Sequence, residues 1–86
     1  MRKVNLLGKE SDAEAWEKRQ NIQVHFWRIV GAVEHINIPK LEYFVKKEFN
    51  TTEDRFVQAQ IRLMQTESRI RIQGREEVWV KQPENI

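Results

Sequence analysis

From Ser68 to Lys81 the apolar residues fall on every second position, and that alternation constrains this chain more than any other feature. Ile70, Ile72, Val78 and Val80 alternate with Arg69, Arg71, Gln73, Glu77, Trp79 and Lys81, with Gly74 between the two runs. A period of two is a strand half-buried on one face, and two such runs around a glycine predict a β-hairpin. Parity decides its loop. A two-residue loop at Gly74-Arg75 pairs Ile72 with Glu77 and mixes the faces. A three-residue loop, Gly74-Arg75-Glu76, pairs Ile72 with Val78 and Ile70 with Val80, so all four apolar side chains share one face. The opposite face then carries Arg69, Arg71 and Trp79, with Arg71 across from Trp79.

Before Ser68 the period is helical. Ser11-Asp12-Ala13-Glu14 is a capping box, in which the Ser11 hydroxyl and the Glu14 carboxylate each take an amide at a helix start. Two stripes follow it: Ile22, Phe26, Ile29 and Val33, with Trp16, Gln23, Trp27 and Val30 beside them. They predict a first helix over about 11–35, continuing through Gly31. At about 1.5 Å per residue it is about 37 Å long, more than so small a domain covers. Ile36-Asn37-Ile38 reads as a short extended stretch, and Pro39 opens a second helix with Leu41, Phe44, Val45 and Phe49 inward. Asn50 ends that helix in a left-handed turn, and Thr51 or Thr52 caps a third helix whose stripe is Val57, Ile61 and Met64. Residues 1–10 read as a flexible arm, 11–82 as one domain and 83–86 as a tail. The expected class is mainly α with a small β-hairpin.

The 86 residues include 40% hydrophobic and 33% charged side chains and no cysteine. That suffices for one core and excludes disulfide stapling, cysteine-based zinc sites and thiol nucleophiles. No apolar run reaches the length of a membrane span, which leads us to expect a cytoplasmic protein. His25 and His35 are ten residues apart, out of register for a helical metal pair, and neither a glycine-rich phosphate loop nor a triad is apparent. We therefore expect no enzyme activity, no metal and no cofactor. The net charge of +2 is unevenly spread: residues 55–75 hold five arginines against one glutamate. Arginine is the side chain best suited to bidentate contact with phosphate or guanine.

Helix, short strand, helix, tight turn, helix, hairpin is the order in which the chain resembles the winged helix-turn-helix superfamily, over about residues 22–81. The resemblance rests on Thr52-Glu53-Asp54-Arg55-Phe56-Val57-Gln58-Ala59-Gln60-Ile61-Arg62-Leu63-Met64 followed by the basic hairpin Arg69–Lys81. Glu67-Ser68 stand where the family carries a glycine before the wing, and Asn50 is in the glycine-free turn. The resemblance implies a third helix in the major groove of double-stranded DNA, with Arg55, Gln58, Ala59 and Arg62 toward base edges. It implies Arg69, Arg71 and Arg75 on the wing against the backbone or minor groove, with Lys46, Lys47 and Thr52 fixing the register. Glu53 and Asp54 oppose a phosphate at the start of that helix.

The apolar surplus of the first helix leads us to expect a homodimer, or a protein partner, through Trp16, Ile22, Gln23, Phe26, Trp27 and Val30. Trp79 has three readings: a stack on Arg71, a cover for the core edge, or a platform for single-stranded DNA, the runner-up ligand. The expected role is a nucleoid-associated regulator of transcription, or a replication or partition accessory of a plasmid or phage. The rival is an accessory subunit that binds a protein or single-stranded DNA within a larger complex.

Overall fold

A computed structural model describes residues 11–30 and 35–84. Its elements are α1 (Asp12–Val30), β1 (His35–Asn37), α2 (Ile38–Phe49), α3 (Asp54–Thr66), β2 (Ile70–Gln73) and β3 (Glu77–Val80). The protein is mainly helical, with a small three-stranded antiparallel sheet in the order β1-β3-β2. The hairpin has the register that parity requires, Ile70 opposite Val80, Arg71 opposite Trp79 and Ile72 opposite Val78. Gly74 turns it with φ +64°, a conformation in which a Cβ is strained.

Two expectations are corrected at the sheet. A two-stranded ribbon was expected, but β1 lies along the free edge of β3, with His35 opposite Trp79 and Ile36 opposite Val78. Ile38 does not extend the strand; it opens α2, because the Asn37 side chain caps that helix by accepting from the Lys40 amide at 2.8 Å. The capping box forms as the sequence dictates: Ser11 N–H donates to Glu14 Oε1 and Glu14 N–H to Ser11 Oγ. α1 ends its described run at Val30, and His35 is already strand, so the helix is shorter than 11–35. Residues 31–34, with Gly31 and Val33, and the expected arm at 1–10 lie outside the described residues.

Both α2 and α3 end in the same way. Thr51 N–H donates to Lys46 O and Asn50 N–H to Lys47 O; Arg69 N–H donates to Met64 O and Ser68 N–H to Gln65 O. Each is a Schellman closure, whose pivot residue must take the left-handed region usually given to glycine. Here the pivots are Asn50, φ 53°, and Ser68, φ 61°. α3 itself starts without a side-chain cap from Glu53; Thr51 Oγ1 accepts from the Glu53 amide instead.

The core gathers Ile22 and Phe26 of α1, Leu41, Val45 and Phe49 of α2, and Phe56, Val57, Ile61 and Met64 of α3. Ile36, Ile70, Val78 and Val80 of the sheet close it. Aromatic edges set the helix contacts: Phe26 meets Phe44 at 4.6 Å and Phe49 meets Phe56 at 5.1 Å, both edge-to-face. Ile22, Gln23 and Phe26, expected at a dimer interface, are all buried inside the single chain. Their stripe meets α2 and the sheet, so a second copy reaches them only by opening the core. Trp27 and Val30 also pack against the core, which leaves Trp16, 48% exposed, at the surface.

Candidate nucleic-acid interface

The exposed stripe of α3 follows from its buried one. With Phe56, Val57, Gln60, Ile61 and Met64 inward, the 3.6-residue period leaves Arg55, Gln58, Ala59 and Arg62 facing out, all exposed. Arg55 and Arg62 make no ion pair among the described residues. Beyond Arg62 the stripe runs to the end of α3. There Gln65 and Ser68 line a groove of about 500 Å³ with Arg71, Trp79 and Lys81 of the sheet's outer face. Arg71 is exposed and donates through Nη2 to Gln73 Oε1 at 3.4 Å. Arg75 lies at the exposed tip of the hairpin, on the rim of a cleft shared with Lys40 and with Glu76 and Glu77. Lys40 joins Arg75 there because the fold brings the start of α2 to the hairpin tip, a proximity that spacing along the chain does not carry.

Other expected contacts are engaged by the protein itself. Arg69 was placed by parity on the outer face, yet it is only 8% exposed. Its Nε donates to Glu67 at 2.8 Å, its Nη1 donates to Gln23 at 2.9 Å, and its guanidinium lies 4.6 Å from the Trp16 ring centroid. The α1 helix crosses this end of the sheet and covers it, so Arg69 does not reach a ligand as expected. Lys46 pairs with Asp54 at 3.2 Å. Gln58 donates to Glu42 at 2.6 Å. Lys47 lines the groove between α1 and α2 with Arg28 and His25, rather than joining the arginines of α3. Thr52 is exposed in the turn before α3.

Arg69 belongs to a buried polar network that the helical periods did not reveal as such. Arg19, 6% exposed, donates through Nε and Nη2 to Glu67 and through Nη1 to Gln60. Gln23 Nε2 donates to Lys81 O at 2.6 Å. Burial alone raises the Glu67 pKa, but hydrogen bonds and charge from Arg19 and Arg69 outweigh it and hold the carboxyl below its ordinary value. The signal was present in phase: Arg19 and Gln23 share the stripe of Ile22 and Phe26, and Gln60 that of Val57, Ile61 and Met64. Polar side chains on a buried stripe require partners.

Trp79 is half-buried, tilted against His35 at 5.3 Å and opposite Arg71 across the ladder. Its Nε1 is buried and has no hydrogen-bond partner among the described residues. The ring thus covers the outer face of the sheet. His25 packs against Phe44 at 4.9 Å, and among the described residues no group of three metal-ligating side chains comes together.

The class these observations define is a mainly helical domain with a three-stranded antiparallel sheet, in which Arg55 and Arg62 of α3 and Arg71 and Arg75 of the hairpin are exposed. The chain matches no family model, and no curated protein or solved structure matches it either.

Proposed function

We propose that this chain is a small winged-helix DNA-binding protein that lays α3 in the major groove of a duplex and sets the hairpin against the backbone. The observation that carries this reading is the pair Arg55 and Arg62, exposed on one stripe of α3 and free of carboxylates among the described residues. Seven residues apart on a helix, they are separated by roughly 10 Å, the rise of about three base pairs. Support also comes from the element order, from the sheet order β1-β3-β2 and from the groove that continues from Gln65 to Arg71. Arg55 and Arg62 face base edges or the phosphates flanking them, while Arg71 and Arg75 neutralise phosphates. Lys46 and Arg69 are not part of the contact, since each is paired with an acid of its own chain.

The test is a mobility shift with a random-sequence duplex and with the corresponding single strand, each at two salt concentrations. Binding to the duplex that weakens steeply with salt is the expected result. Equal or tighter binding to the single strand, or no binding at low salt, overturns the proposal.

A further inference from the structure

Glu42 of α2 and Gln58 of α3 meet at the surface between the two arginines. A carboxylate only accepts, so the contact fixes which end of the Gln58 amide faces Glu42: Nε2 donates one hydrogen to Oε2 at 2.6 Å. The amide oxygen and the second amide hydrogen are left over, an acceptor beside a donor. That order is complementary to the N6 amine and N7 of adenine in the major groove.

Charge points the same way. Lys46 is matched by Asp54, and the acid beside Gln58 is Glu42, so Gln58 and its neighbour add no positive charge for a phosphate between the two arginines. Gln58 offers a polar fork to a base edge. Gln58 is three residues after Arg55 and four before Arg62, which places it over the base pairs between those the two arginines reach.

Resting on the duplex reading above, we infer that Gln58 reads an adenine and that Glu42 is the positioning residue holding its amide for that contact. Glu42 also acts against wrong sequences: with no amine near it, its carboxylate faces DNA without compensation.

The experiment is selection of bound sites from a randomised duplex with the full chain and with Gln58→Ala and Glu42→Gln, after circular dichroism shows each variant folded. The wild-type motif is expected to contain an adenine that Gln58→Ala no longer selects while the remaining positions persist, with affinity for the selected site down roughly tenfold. Glu42→Gln is expected to relax the same position while binding random duplex more tightly, which a merely structural role does not produce. Replacing that adenine by 7-deazaadenine, which lacks the N7 acceptor, is expected to weaken the wild type and leave Gln58→Ala unchanged. If Gln58→Ala keeps the same adenine, the inference fails while duplex binding stands. If the wild type binds no duplex, both fall.

Discussion

Glu67 holds two guanidinium groups at once, and among the described residues neither Arg19 nor Arg69 pairs with another carboxylate. Replacing it with glutamine leaves two largely buried cations without their anion. The expected cost for Glu67→Gln is about 3 kcal/mol, read by urea denaturation. The same group sets an acid limit. Because its folded pKa is lowered, its contribution is complete above its ordinary value of 4.5 and is lost as pH falls through the lowered value. Thermal melts between pH 6 and pH 3 are expected to show a steeper acid loss for the wild type than for Glu67→Gln. Equal slopes would contradict the assignment. Ser68 shows the opposite balance. Its left-handed φ of 61° is costly for a residue with a Cβ, so Ser68→Gly is expected to stabilise by about 1 kcal/mol, raising Tm by about 4–8 °C. Asn50→Gly gains less, since asparagine tolerates that region.

Within the elements, α3 and the hairpin divide the work. Arg62 lies on the exposed stripe of α3 that the proposed reading lays in the major groove, so Arg62→Ala is expected to reduce affinity for one selected site by about 1–3 kcal/mol and to relax a single base position. Arg75 is exposed at the tip, where the proposed reading sets it against the DNA backbone, so Arg75→Ala is expected to weaken all sequences alike; unchanged affinity would remove the tip from the contact. How far these elements were legible differs by element. The hairpin and its three-residue loop follow from parity alone, because a one-residue slip reverses every side chain. The end of α2 was legible in Asn50, which tolerates the left-handed region, whereas the end of α3 at Ser68 was not, because neither glycine nor asparagine marks that pivot. The role of β1 was not legible: three residues carry no periodicity, and pairing with β3 depends on where α1 delivers them.

For the whole molecule, the salt dependence tests how many cations stay free. Arg55, Arg62, Arg71 and Arg75 remain exposed, so about four phosphates per protomer give a slope of log K against log salt of about −3.5. A markedly steeper slope would mean that Arg69 or Lys46 breaks its internal pair, or that two copies bind together. Light scattering of the free chain is expected to give the mass of one 10.4 kDa protomer, since Ile22, Gln23 and Phe26 already face their own core. The amino-acid order by itself determined the helical and strand periods, the hairpin register and the arginine-rich stretch, because each depends on spacing along a single element. Only tertiary packing decided which of those arginines face outward. Arg69 and Arg71 have the same parity, yet α1 brings Gln23 and Trp16 over Arg69 and, through Arg19, assembles the network around Glu67, whereas Arg71 stays exposed. A buried cation keeps its charge only where opposite charge and acceptors surround it; Glu67 is two residues from Arg69, but the Gln23 acceptor and the Arg19 that shares Glu67 come from α1, more than 40 residues away in the chain.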